Sequence, residues 1–117
     1  MKKPRALVSL SALAQENRLD TFRLLVQAGP EGMPAGEVAA RLAISPNNLT
    51  FHFDKLREAG LVTVRREGRS MIYAARYDAM NALIGYLTEN CCQGAGANCA
   101  APSCEPSPTR TRAKERA

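Results

Sequence analysis

Before Cys91 the chain contains no cysteine, and in all of its 117 residues there is one histidine, His52. No Cys-x-x-Cys accompanies a βαβ pattern, and the lone histidine lies in a stretch that reads as a surface-binding helix. A thiol reductase or another enzyme relying on a nucleophile and a base therefore lacks its residues, and the chain is read as a non-enzyme. Also missing are an apolar run near the roughly 18 residues of a membrane span and the apolar core of a signal peptide. These absences predict a cytoplasmic protein with no membrane partner. Charge of one sign does not dominate either: 12 basic residues stand against 9 acidic ones up to Asn90, and 4 against 2 after it. That balance permits nucleic-acid binding without requiring it, so the placing of the charges matters more than their sum.

What is present centres on Ala35 to Ala75. Ser45 has the side chain of an N-cap, Pro46 suits a first helical position that needs no N–H, and Asn47 and Asn48 follow. Leu49, Phe53 and Leu56 then recur at i, i+4 and i+7, one stripe of a helix that Gly60 ends. At about 100° per residue, Asn47, Phe51, Asp54 and Lys55 face away from that stripe. An outward Phe51 is unexpected unless something covers it. His52, beside the stripe, is expected as a half-buried structural histidine. The preceding segment, Ala35 to Leu42, sets Val38, Ala39 and Leu42 on one side, and Ala43-Ile44 make the short link of a helix-turn-helix.

Beyond Gly60, Leu61 to Arg66 and Arg69 to Tyr73 are two β-rich runs about a Glu67-Gly68 turn, a two-stranded wing. A lone hairpin is marginal in water, so Val62, Val64, Ile72 or Tyr73 should pack on the helices. Arg65, Arg66 and Arg69 crowd its tip. The fold class is therefore mainly α with a small β-hairpin, a winged helix-turn-helix, and its partner would be double-stranded operator DNA. Asn47 and Asn48 suit base edges, Phe51 a thymine methyl or sugar, Lys55 and the wing arginines phosphates, with Arg66 or Arg69 able to enter the minor groove.

Around this unit, Met1 to Arg5 read as a basic, frayed start. Leu7, Leu10, Leu13 and Ala14 lie at helical spacing, and a second helix, Asn17 to Ala28, turns Leu19, Phe22, Leu25 and Val26 inward. Gly29 to Gly32 form a loop. A final helix starting at Asp78 or its neighbour repeats Met80, Leu83, Ile84 and Leu87, then fades at Asn90-Cys91-Cys92. The first and last helices thus carry apolar stripes that either complete the monomer core or join two copies. A homodimer through these helices is expected, because it would set two recognition helices about one DNA turn apart. Residues 1–92 form the binding and dimerisation domain and 93–117 a flexible tail, rich in Gly, Ala, Ser, Pro and charge, with little to bury.

All four cysteines fall at the end: Cys91, Cys92, Cys99 and Cys104. In a reducing compartment this clustering suggests metal or redox chemistry rather than structural disulfides. Adjacent thiols match a zinc knuckle poorly, whereas two neighbours and a third across a Gly-Ala-rich loop suit a soft ion taking three sulfurs. A Cys91–Cys92 redox switch and zinc or cadmium sensing stay open.

The run Thr50-Phe51-His52-Phe53-Asp54-Lys55-Leu56-Arg57-Glu58-Ala59-Gly60-Leu61-Val62, with the arginine-rich wing ending at Tyr73, resembles the recognition helix and wing of ArsR/SmtB-type repressors. The resemblance spans roughly Leu10 to Cys99. It implies a homodimeric transcriptional repressor that leaves its operator when a metal or metalloid binds, and it adds Thr50 to the DNA-facing set. The thiol motif that such proteins often carry on the first helix of the helix-turn-helix is missing from Glu37 to Leu42, as is the zinc-sensor pattern of the last helix. The ending Glu89-Asn90-Cys91-Cys92 is similar to that of arsenite-responsive members linked to arsenical resistance. By that likeness Cys91, Cys92 and Cys99 would hold arsenite, As(III), or antimonite, with Cys104 a spare or a substitute.

Overall fold

A computed structural model describes residues 1–94, with side chains to Cys92. Five α-helices and a small sheet follow in the order α1 (Lys3–Leu13), α2 (Glu16–Ala28), β1 (Met33–Pro34), α3 (Ala35–Leu42), α4 (Pro46–Glu58), β2 (Val62–Glu67), β3 (Ser70–Ala75) and α5 (Tyr77–Leu87). A 3₁₀ turn, Cys91–Gly94, closes the described part. The fold is a winged helix-turn-helix.

The start signals read from sequence are the ones used. Ser45 Oγ accepts the Asn48 N–H at 3.4 Å, with Pro46 at the head of α4. Between α3 and α4 the chain turns through Ala43 at φ 55°, a left-handed conformation an alanine adopts only under constraint, and the Ile44 N–H returns to the Ala39 carbonyl at 3.1 Å. Leu49, Phe53 and Leu56 enter a core with Phe22, Leu25, Val38, Leu61 and Val62. Tyr73 lies flat on Phe53, their rings 3.6 Å apart and 5° from parallel, which fastens the wing's base to α4.

Three expectations need correction. The wing is not two-stranded: β1 pairs with β3 through Met33 opposite Tyr73 and Pro34 opposite Ile72, making an antiparallel sheet of order β1-β3-β2. The approach is so close that a Cβ on Gly32, which sits at φ +80°, would strike the Tyr73 carbonyl oxygen. In α2, Leu19 is exposed rather than inward, while Phe22 and Leu25 are buried and Val26 half-buried. The N-terminus is helical from Lys3, and α1 buries Ala6, Ser9 and Ala12 while Leu7, Val8 and Leu10 face outward. Small side chains on the inner face let α1 lie close against α2 and α4. In α5 only Leu83 is fully buried, and Leu87 is exposed.

Candidate nucleic-acid interface

One face of α4 and the tip of the wing are both exposed and largely polar. Asn47, Phe51 and Lys55 are exposed, as the helical spacing predicts, and so are Asn48 and Thr50, while Asp54, expected outward with them, is half-buried. Thr50 Oγ1 donates to the Pro46 carbonyl at 3.0 Å, which leaves its lone pairs for another donor. Phe51 is 54% exposed. Its cover is partial: the Lys55 Nζ stands 5.4 Å from the ring centroid, a cation over an aromatic face, and His52 meets the ring edge-on at 5.7 Å. An apolar ring at this height on a helix with polar neighbours offers a flat contact to a base methyl or a sugar. On that side Asp54 is half-buried and Glu58 exposed, and Arg57 stands 3.8 Å from the Asp54 carboxylate, offsetting its repulsion of phosphates.

The wing arginines differ in what they are free to do. Strands β2 and β3 pair from Val62 opposite Ala75 to Glu67 opposite Ser70, so Gly68 and Arg69 form a two-residue loop. Gly68 takes φ +62°, at the place where a type II′ hairpin turn asks for glycine. Arg65 is engaged by the Glu67 carboxylate at 2.7 Å and by the Glu31 carbonyl at 2.8 Å. Arg66 donates to the Gly68 carbonyl at 3.2 Å. Arg69 has no such partner among the described residues and is exposed at the loop. An exposed ion pair is weak, so Arg65 can exchange Glu67 for a phosphate at small cost.

His52 is buried, 7% exposed, deeper than the half-buried position expected. Its Nδ1 lies 3.5 Å from Nη1 of Arg18. Burial first, and the Arg18 charge second, hold its pKa below the ordinary 6.5, so the ring is neutral at pH 7 and belongs to the scaffold rather than to the binding face. Neither Arg18 nor Arg5, which reaches the end of α4, carries a sequence signal for this role, since each contact joins residues far apart in the chain.

The fold, the exposed face of α4 and the basic hairpin can be set beside known proteins. Residues 13–65 match the helix-turn-helix domain family. The transcriptional activator HlyU of Vibrio cholerae is 33% identical over 89 residues, 76% of this chain and 80% of that protein. The chain belongs to the ArsR family of winged helix-turn-helix transcriptional regulators. The solved structure of Vibrio cholerae HlyU overlays this ArsR-family fold with a TM-score of 0.62, at 33% identity, covering 80% of this chain and all of that one. An ArsR-like transcriptional regulator from Rhodococcus sp. RHA1 gives a TM-score of 0.63 at 26% identity, over 72% of this chain and 76% of that one. A third structure, described as a possible transcriptional regulator for arsenical resistance, gives a TM-score of 0.59 at 26% identity, over 68% of this chain and 79% of that one. Members of such a family regulate transcription by binding DNA and are not enzymes.

The thiol end is a separate region. After the last helix, Thr88 Oγ1 donates to the Ile84 carbonyl at 2.8 Å and the Cys91 N–H to the Thr88 carbonyl at 3.0 Å. Asn90 and Cys92 both adopt left-handed φ, 58° and 54°. Cys91 is half-buried and keeps its thiol, while Cys92 is exposed and disulfide-bonded, so the two neighbours are not joined to each other. Cys99 and Cys104 lie outside the described residues. Among the described residues no three His, Cys, Asp or Glu side chains gather as a metal site. No helix there is long and apolar enough to cross a membrane.

Proposed function

We propose that this regulator is a homodimeric repressor that grips a palindromic operator through α4 and the wing, and lets go when As(III) or Sb(III) binds Cys91, Cys92 and Cys99, the Cys92 disulfide being first reduced to its thiol by a low-molecular-weight thiol, with Cys104 a spare. The observation that carries the DNA part is the exposed face of Asn47, Asn48, Thr50, Phe51 and Lys55 on α4, together with the exposed Arg66 and Arg69 on the hairpin. The dimer is supported by Leu7, Val8 and Leu10 on α1 and Leu87 on α5, large apolar side chains left in water on two helices that pack against each other. The metalloid part is supported by the soft chemistry of clustered thiols, by the absence of any cysteine before Cys91, and by the likeness to a protein described in terms of arsenical resistance.

When three thiols replace three hydroxyls on neutral arsenous acid, the net charge hardly changes, so electrostatic expulsion from DNA is a poor account of release. The coupling is instead mechanical: drawing the chain's end against α5 alters the angle between protomers and the spacing of their recognition helices. A coupling of about 1–3 kcal/mol, or roughly 5–150-fold in operator affinity, is the usual scale. The test is operator release with arsenite by wild type, Cys91→Ser and Cys99→Ser. Both variants should bind DNA as wild type does and fail to release it. Release at wild-type arsenite concentrations would remove the thiols from the mechanism.

One observation favours a second reading. Cys92 in a disulfide, with Cys91 left as a thiol, fits a redox-sensing repressor of the same fold, in which an oxidant does what arsenite does in the first reading. Peroxide and arsenite titrated in parallel separate the two.

A further inference from the structure

Two arginines outside the DNA-facing surface reach the recognition helix from its far side. Arg5, in α1, donates from Nη2 to the Ala59 carbonyl oxygen at 3.1 Å, across 54 residues of sequence. Ala59 is the C-cap of α4 and is 3% exposed. A helix leaves its last carbonyls without partners inside the helix. In α4 the Gly60 N–H takes the Arg57 carbonyl at 2.9 Å and the Leu61 N–H takes the Leu56 carbonyl at 3.0 Å, the paired bonds of a Schellman ending, with Gly60 at φ +78°. The Ala59 oxygen lies outside that pattern, and Arg5 supplies its donor. A guanidinium at this end also meets the negative pole of the helix dipole. The contact is close enough that a Cβ on Gly60 would stand 2.9 Å from Arg5 Nη2.

Arg18 does the same for the middle of the helix. Its Nε donates to the Ala12 carbonyl of α1 at 2.7 Å, and its Nη1 faces His52 Nδ1 at 3.5 Å. A guanidinium can only donate, so His52 accepts at Nδ1 and carries its proton on Nε2. The recognition helix is thereby fastened at its midpoint and at its C-terminal end to α1, the helix whose Leu7, Val8 and Leu10 face outward.

We propose that Arg5 is a positioning residue for operator binding: it ties the end of α4 to the helix on which a second protomer would sit, while Arg18 holds the middle. The inference rests on α4 being the element that reads DNA. Arg5 touches no DNA in this scheme; it sets the attitude at which Asn47, Asn48 and Phe51 enter the groove. The tie also gives any shift of α1 a direct route to the reading face.

Full-length wild type, Arg5→Ala, Arg5→Lys and Lys3→Ala are titrated onto an upstream palindromic duplex at several salt concentrations, and amide hydrogen exchange is followed without DNA. Arg5→Ala should bind about tenfold more weakly at every salt, the scale of one charge-assisted hydrogen bond. Its slope of log affinity against log salt should match wild type. Arg5→Lys should recover most of the loss, Lys3→Ala should lose less than Arg5→Ala, and exchange should quicken in Arg5→Ala at residues 59–61 but not in the wing. A slope shallower by about one would make Arg5 a phosphate contact and overturn the proposal, as would wild-type affinity with unchanged exchange. A wild type that binds no duplex would instead overturn the reading of α4 as the DNA element, and exchange at residues 59–61 would still decide whether Arg5 holds the helix end.

Discussion

Helices α1 and α4 are built from similar material and put to opposite uses. Each has proline in its first turn, and each mixes aliphatic with polar residues. In α4 the large side chains Leu49, Phe53 and Leu56 are buried, and what faces water is polar except for Pro46 and Phe51. In α1 the inner face is Ala6, Ser9 and Ala12, and the large residues are outside, Leu7 at 58% exposure. A helix that spends its aliphatic residues inward is finished within its own chain. One that keeps them outside, over a small-residue face that lets it dock closely, has surface left for something else, which the proposed function takes to be a second copy.

The sharpest way to break this comparison is to remove a large side chain from each helix. Phe53→Ala deletes a fully buried ring and its stack on Tyr73, and should destabilise the domain by about 3–5 kcal/mol in denaturant melts. For a domain of this size that is a large share of the total stability. Leu10→Glu changes a residue in contact with water, and should leave the fold intact while weakening self-association by tenfold or more in sedimentation. If Leu10→Glu unfolded the chain, the outer face of α1 would be structural after all.

A smaller effect sharpens the link between the two helices. His52 is held neutral in the fold by burial and by Arg18, with a pKa below 6.5. Well above pH 6.5 neither folded nor unfolded chain is protonated there, and stability owes nothing to this titration. As pH falls toward and through 6.5 the unfolded chain takes up the proton first, so stability declines until the folded pKa is passed. The charged group that faces the ring is Arg18 from α2, and it opposes protonation. Melts of wild type and His52→Gln across this range should differ in slope, with the variant flatter. Parallel curves would mean that the imidazole is solvated in the fold.

Much of the helix-turn-helix was legible because its punctuation is local. Ser45-Pro46 opens α4, Gly60 closes it, and Gly68 turns the hairpin, so each boundary is carried by one or two residues with a stereochemical reason to be there. Strand β1 had no such mark: two residues, one of them proline, cannot show a period. The inner face of α1 carried no mark either: the apolar stripe of the sequence is the large residues Leu7 and Leu10, whereas close helix packing takes Ala6, Ser9 and Ala12. Leu19 failed for a related reason, since its spacing fits the stripe of α2 but its place on the helix faces water. Arg5 looked like a frayed start because its partner, the Ala59 carbonyl, is 54 residues away and is backbone, which no side-chain pattern can announce. Of the candidate site, the exposure of Asn47, Phe51 and Lys55 on α4 followed from helical spacing, whereas Asp54, expected outward with them, is half-buried. Of the thiol set, Cys91 and Cys92 end the described side chains, and Cys99 and Cys104 lie outside them.

The most direct test of the whole account is the mass of the complex formed on one palindromic upstream duplex. Two chains of 12.7 kDa per duplex are predicted, with Leu10→Glu binding weakly or as single chains. One wild-type chain per duplex, bound as tightly as the account requires of a pair, would contradict it.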